Sequence, residues 1–263
     1  MKDKKADIIQ TEEIILNKQI TEHAPFIDYE GDANSGLEGT DKTSFAIPFI
    51  TLLQGLSPQL KDVEGARPGL FINTITNEIF SEVYVIPCAF QRVFIRWASR
   101  ASGGGFKGQF PAADVELKKV DYVVDEDGFF KIEDDELVDT RNHFVLYKAS
   151  DGVWKPALIS MSSTQIKKSK RWMTLIQGIE MKNTNGNTFT PPSFSHIYCI
   201  RSVEERNSKG SWNSFEASLI EPVNDAEIYA KAKSFYKSVM SCEVEVLQPT
   251  PDFHVNNSEQ ENF

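Results

Sequence analysis

The alternation of apolar and polar residues is strongest in the middle of the chain, and it predicts a mainly β protein. Residues 82–98 alternate with period two, so one face is apolar and the other is basic and aromatic. A bulge within this strand would exchange the two faces. Further strands are predicted over residues 143–148, 156–161, 194–203 and 211–220, the last two joined as a hairpin.

Two segments have the apolar stripe of an amphipathic helix. The first covers about residues 163–181 and begins at Ser162 or Ser163. The second covers about residues 225–241, where Asn224 and Glu227 have the spacing of a capping box. We expect both helices to pack on the predicted strands.

A strongly acidic segment, residues 114–139, separates the long strand from the later ones. Asp127-Gly128 within it lies between two short apolar runs and predicts a hairpin turn. Clustered acids are usually hydrated, so we expect this hairpin to present a solvated acidic face.

The order of these elements is several strands, one helix and then two strands linked as a hairpin. An OB-fold, a small Greek-key barrel, has its helix between the third and fourth strands, which gives the same order. We therefore predict an α+β fold, mainly β with helices. It is an OB-fold-like Greek-key barrel with an N-terminal extension, an acidic hairpin insertion and a C-terminal helix. The predicted parts are a peripheral N-terminal arm (1–40), a binding domain with the C-terminal helix (41–245) and a disordered acidic tail (246–263).

Charge is segregated along the chain, whose net charge is -10. Residues 83–113 carry four Arg or Lys and no acid, and residues 153–201 carry seven Arg or Lys and one acid. A basic and aromatic surface on an acidic protein is typical of a site for single-stranded nucleic acid, where cations contact phosphates and rings stack on bases. The candidate binding residues are Arg92, Phe94, Arg96, Arg100, Phe106, Lys107, Lys167, Lys168, Lys170, Arg171, Tyr198 and Trp212.

Motifs of common enzyme classes are missing from the sequence. It contains no phosphate-binding loop, no zinc-protease motif and no nucleophile elbow, so we expect no enzymatic activity and no cofactor. Its three cysteines lack the spacing of a metal site and indicate a reducing compartment. No apolar stretch approaches the roughly 20 residues of a membrane span, so no membrane partner is expected.

Four segments resemble a group of phage-encoded proteins. They are Ile47-Pro48 with LQGLSPQ (53–59), SGGGF (102–106), ISMSSTQ (159–165) and FTPPSFSH (189–196). The last residues, NNSEQENF (256–263), resemble the C-terminal tails of phage and bacterial single-stranded DNA-binding proteins, which end in acids followed by Phe. The resemblance implies a protein that coats single-stranded DNA in phage replication or recombination, in the cytoplasm of the infected bacterial host.

The same resemblance implies a role for the tail. The candidate residues for docking replication proteins, such as a polymerase, helicase or primase, or RNA polymerase, are Glu259, Glu261 and Phe263, and of these only Phe263 is carried over from the resemblance residue by residue.

Two other functions stay open at this point. A protein-interaction module, such as a phage transcription or virion factor, would bring a basic face to an acidic protein partner. A nuclease or recombinase would use the carboxylates of the acidic hairpin. Cations interleaved with rings favour single-stranded DNA, because a purely electrostatic partner requires neither Trp212 nor Phe106.

Removal of residues 247–263 is expected to raise the affinity for single-stranded DNA, most strongly at low salt. The acids of this segment would otherwise compete with DNA for the basic surface, and salt screens that competition. Titration of fluorescent oligo-dT with the full and the shortened chain at two salt concentrations measures the effect. Equal affinities at low salt would contradict the prediction.

Overall fold

The computed structural model describes residues 28–40, 46–99, 102–126, 128–208 and 210–241, together with residue 246. The chain divides into two units, Met1–Ser44 and Phe45–Phe263. In the first unit, the described residues form successive exposed turns, for example where Gly31 N donates a 2.8 Å hydrogen bond to the Asp28 carboxylate.

The second unit contains thirteen strands and four helices within the described residues. The strands are β1 (Ile50–Leu52), β2 (Phe71–Asn73), β3 (Ile79–Phe80), β4 (Glu82–Trp97), β5 (Phe106–Pro111), β6 (Val123–Val124), β7 (Phe130–Ile132), β8 (Asp135–Lys148), β9 (Trp154–Ser162), β10 (Met181–Lys182), β11 (Thr188–Phe189), β12 (His196–Asn207) and β13 (Gly210–Pro222). The helices are α1 (Gln59–Asp62), α2 (Ala112–Glu116), α3 (Ile166–Gln177) and α4 (Ala226–Met240).

The main sheet has eight antiparallel strands and curls into a half-barrel. Its strand order is β13-β12-β4-β8-β7-β6, with β5 paired to β4 and β9 paired to β8. β1 to β3 form a separate small sheet, and β10 and β11 form a hairpin. The predicted class, mainly β with helices in a barrel-like arrangement, is confirmed.

β4 contains a bulge at Cys88, where its pairing with β8 shifts register between Pro87 and Ala89. Before the bulge, Val83 faces the core cluster that packs against α3. After the bulge, Phe90 faces the same side, because its ring contacts a histidine of β8 that stacks on α3. The bulge therefore brings the even-numbered residues of the second half of β4 to the α3 side of the sheet.

Each long helix covers its own part of the core. Trp172 and Ile176 of α3 pack into one cluster, and Phe235 and Val239 of α4 pack into another. The predicted capping residue of α4 is wrong by one position. The Asp225 carboxylate accepts hydrogen bonds from the first turn, at 2.8 and 3.1 Å, because it is the residue immediately before the helix.

Two glutamine side chains cover part of the outer edge of β13. Gln54 Nε2 donates a hydrogen bond to the Asn213 carbonyl at 2.9 Å, and its Oε1 accepts one from Asn213 N at 2.9 Å. Gln165 Nε2 donates to the same carbonyl at 3.1 Å, and its Oε1 accepts from Ser214 Oγ at 2.9 Å. An uncovered edge strand invites pairing with other chains, so these amides take positions that a further strand would occupy.

Replacement of Gln54 with Leu is expected to lower the free energy of unfolding by about 1–3 kcal/mol, because Asn213 N loses its partner. Urea denaturation followed by circular dichroism measures the change. Gln177→Leu, at an exposed position at the end of α3, is the matched control and is expected to change stability by less than about 0.5 kcal/mol. Equal effects of the two substitutions would contradict a specific role of the Gln54 amide.

Candidate nucleic-acid interface

The basic and aromatic face predicted for the long strand is present on β4. Arg92, Phe94 and Arg96 follow the bulge on one face. β8 adds its own side chains to that face, because residues directly opposite each other in an antiparallel pair lie side by side. Asp139 is opposite Phe94, so an acid stands within the basic face.

Carboxylates bind the cations of this face. Arg92 binds Asp139 through Nε at 3.0 Å and Nη2 at 2.7 Å, and it also pairs with Glu116 of α2. Only 29% of the Arg92 side chain is exposed. The guanidinium is therefore satisfied within the protein rather than directed at solvent.

A second group of ion pairs lies further along β4. Arg96 Nε is 2.6 Å from Asp135 Oδ2, and Lys107 Nζ is 3.0 Å from Asp135 Oδ1. Arg96 also contacts Glu133 at 3.2 Å. The four acids that bind these cations, Glu116, Glu133, Asp135 and Asp139, all belong to the acidic segment 114–139. The expectation that this segment forms a purely solvated face is therefore wrong. Several of its acids fold onto β4 and neutralise the basic strand.

Asp139 is ionised through these contacts. Burial opposes its charge, but hydrogen bonds from Arg92 and Arg141 outweigh burial and lower the pKa of the carboxyl. A lowered pKa stabilises the fold above the unfolded pKa of about 4 and loses that effect as the pH falls. The ion pairs of β4 are therefore part of the folding energetics.

Two predicted stacking residues are core residues, and their assignment to the interface is wrong. Phe94 is 3% exposed and packs edge-on against Phe130 at 5.6 Å. Tyr198 is fully buried near Trp172, and burial raises its pKa to about 12. A ring without accessible surface offers no face to a base.

Phe106 is the accessible ring at the far end of β4. It is 46% exposed and contacts Trp97 edge-on at 6.0 Å. It directly follows Gly103, Gly104 and Gly105, whose positive φ angles are readily adopted only by glycine. Arg100, which was predicted to act beside it, lies outside the described residues.

Helix α3 keeps its positive charge on the surface. Lys167, Lys170 and Arg171 are exposed, and within the described part of the chain neither lysine forms an ion pair. Arg171 lies 4.0 Å from Glu216 of β13, and 68% of its side chain is exposed. Lys168 differs, because its Nζ lies 2.5 Å from Glu205 Oε1 of β12.

A buried polar contact that the sequence does not reveal anchors α3 to the sheet. His143 of β8 stacks on Trp172 with ring centroids 4.5 Å apart, and its Nε2 is 2.8 Å from Ser169 Oγ. Burial lowers the pKa of His143 to about 3, so the ring is neutral at physiological pH. Phe90 contacts the same imidazole at 5.1 Å. Phe90 belongs to the basic segment 83–113 and Trp172 to the basic segment 153–201, so the two segments meet at this stack.

Trp212 lies on β13 next to the charged residues of α3. It is half-buried and directly opposite Glu205 on β12. Because Glu205 contacts Lys168, the indole lies beside the helix that carries the exposed cations. This places one predicted ring and one predicted basic cluster at a common surface.

The remaining predictions have a simpler outcome. Glu259, Glu261 and Phe263 lie outside the described residues, so docking of replication proteins stays a prediction. Among the residues that are described, no group of three His, Cys, Asp or Glu could hold a metal ion. None of the described helices is long and apolar enough to cross a membrane.

The fold and this surface describe a barrel-like α+β protein with an exposed cationic helix. The family model for the Pam3 phage gp34-like protein matches residues 16–245. The chain belongs to that family and is a phage protein. No curated protein and no solved structure matches it.

Replacement of Asp139 with Asn is expected to destabilise the fold by about 1.5–3 kcal/mol, because Arg92 loses the more buried of its two charged acceptors. The difference from the native chain should begin to shrink as the pH falls below about 4, the pKa of the unfolded carboxyl, and should vanish only below the lowered pKa of the folded carboxyl, where the native chain is protonated as well. Urea denaturation at several pH values measures both effects.

Glu116→Gln is the matched control for this prediction. It removes the charge of Glu116, the other partner of Arg92. Because the Glu116 side chain is 58% exposed, the substitution should lower the free energy of unfolding by less than about 1 kcal/mol. If Asp139→Asn is as mild as this control, the Arg92–Asp139 pair does not stabilise the fold as expected.

Proposed function

We propose that this phage protein binds single-stranded DNA without sequence preference during replication or recombination of phage DNA. The observation that carries the proposal is the exposed cationic face of α3, formed by Lys167, Lys170 and Arg171 beside Trp212. In this arrangement the three cations contact successive phosphates and the indole stacks on a base.

The position of these cations on the helix supports the binding of an anion. They lie in the first two turns of α3, whose first turn contains no acid. The N-terminal end of a helix carries partial positive charge, which adds to that of the side chains. The net charge of the chain is -10, so repulsion elsewhere would direct a polyanion to this surface.

The neighbouring ring supports a single strand over a duplex. Stacking of a base on an aromatic side chain contributes roughly 1–3 kcal/mol and tolerates every base. A paired base inside a duplex has no free face for Trp212. Affinity should therefore be higher for single strands at equal phosphate number.

The cations of β4 and of the neighbouring β5 have a smaller part in the proposal than their number suggests. Arg92, Arg96 and Lys107 would have to exchange carboxylates for phosphates. Such an exchange leaves Asp135 and Asp139 without their partners, and this cost offsets most of the gain. The proposal therefore assigns the main electrostatic contribution to α3.

The triple substitution of Lys167, Lys170 and Arg171 with Ala is expected to weaken binding of oligo-dT at least 10-fold at low salt. Each phosphate contact contributes about -0.7 to the slope of log K against log salt, so the slope should become shallower by about 2. Fluorescence anisotropy with labelled oligo-dT over a range of salt concentrations measures both quantities.

The triple substitution of Lys231, Lys233 and Lys237 with Ala is the matched control. It removes the same charge from exposed positions on α4 and is expected to change affinity and slope little. Equal losses in the two variants would indicate a general charge effect and contradict the α3 site. Absence of binding by the native chain, or equal binding to duplex DNA, would contradict single-stranded DNA binding itself.

A further inference from the structure

The four cations in the first half of α3 are not equivalent. Lys167, Lys170 and Arg171 are exposed, whereas the Lys168 side chain is 22% exposed and its ammonium lies 2.5 Å from the Glu205 carboxylate. Lys168 lies next to Ser169 and one turn before Trp172, two buried residues of α3, so it leaves the helix on the side that faces the protein.

Glu205 connects this lysine to the indole of Trp212. Residues 205 and 212 are directly opposite each other in the antiparallel pair of β12 and β13. Side chains in such positions lie on the same face with their Cβ atoms about 5 Å apart. The Glu205 carboxylate therefore contacts Lys168 on α3 and lies next to Trp212 on β13, in the hairpin formed by β12 and β13.

The surroundings of Glu205 keep this connection intact at neutral pH. A hydrogen bond from Lys168 is the largest influence on the pKa of the carboxyl, and it outweighs burial and lowers that pKa. Ser214, two residues after Trp212 on β13, is fully buried. Ser214 is itself held by Gln165 at 2.9 Å, immediately before α3. Two contacts therefore join the start of α3 to the β12–β13 hairpin near Trp212: Lys168 with Glu205, and Gln165 with Ser214.

We propose that Lys168 is a positioning residue: through Glu205 it holds Trp212 beside α3, ready to stack on a base, and it does not contact phosphate. The inference rests on the proposed binding of single-stranded DNA. If Lys168 moved to a phosphate, the Glu205 carboxylate would lose its partner next to an incoming negative charge. Lys167 and Lys170, which form no ion pair among the described residues, reach a phosphate without that cost, and Arg171 would leave only the long 4.0 Å contact with Glu216.

The two roles give different responses to salt. A cation that contacts phosphate releases counterions, so its loss makes the salt slope shallower by about 0.7. A cation that positions a ring changes the affinity by the same factor at every salt concentration. Loss of one stacked base corresponds to a decrease of about 5-fold to 150-fold.

The experiment compares Lys168→Met with Lys170→Met in titrations of oligo-dT over a range of salt concentrations. Lys168→Met is expected to lose at least about 5-fold in affinity with an unchanged slope, and Lys168→Arg is expected to restore the affinity. Lys170→Met is expected to make the slope shallower by about 0.7. Trp212→Ala added to Lys168→Met should cause little further loss, because both substitutions remove the same stacking contact.

A measurement without DNA tests the arrangement itself. The indole N–H resonance of Trp212, assigned in NMR spectra by comparison with Trp212→Phe, should shift in Lys168→Met and stay in place in Lys170→Met. If Lys168→Met does not fold, Glu205→Gln removes the same ion pair from the strand side and is measured in its place.

Three results would overturn the inference while leaving the proposed function standing. They are a slope shallower by about 0.7 in Lys168→Met, an unchanged affinity in that variant, and additive losses when it is combined with Trp212→Ala. Failure of the native chain to bind oligo-dT would instead remove the proposed function and the role assigned to Lys168 with it.

Discussion

The stacking of Trp172 on His143 is the contact on which the arrangement of this protein depends. It fixes α3 against the sheet, and the accompanying contact between His143 and Ser169 sets the rotation of the helix about its own axis. With Trp172 turned inward, Lys167 and Lys170 must face solvent. A neutral imidazole suits this place, because a charged ring would be costly in so buried a position. The chemistry of the surface therefore follows from a contact in the core.

The basic strand shows how cross-strand contacts change the meaning of a local charge pattern. Counted along the sequence, the window around Arg92 and Arg96 is free of acids. In the fold, the neighbouring strand places Asp135 and Asp139 against these two arginines. Carboxylates of the protein itself thus neutralise part of the positive charge that suggested a polyanion site. On α3 the outcome is mixed: Lys168 and Arg171 lie near acids of β12 and β13, whereas Lys167 and Lys170, on the side away from Trp172, form no ion pair among the described residues.

Local patterns predicted the elements of this protein better than their surroundings. Alternation located the long strand almost to the residue, since residues 82–98 correspond to β4 (Glu82–Trp97). Gly128 of the predicted turn lies between β6 and β7, which pair with each other. Alternation also separates two faces without saying which face is covered, so Phe94 and Tyr198 were predicted to be exposed although both are buried. The contact between Gln54 and Asn213 joins distant segments and has no local signature.

The glutamine bonds to β13 have a consequence for how this surface tolerates sequence change. A side-chain amide is chemically a peptide group, and Gln54 and Gln165 direct theirs at main-chain atoms of residue 213. Bonds to the main chain hold the shape of the hairpin whatever side chain it carries at that position. Substitution of the outward residues of the β12–β13 hairpin therefore changes the chemistry of the surface without moving the hairpin relative to α3.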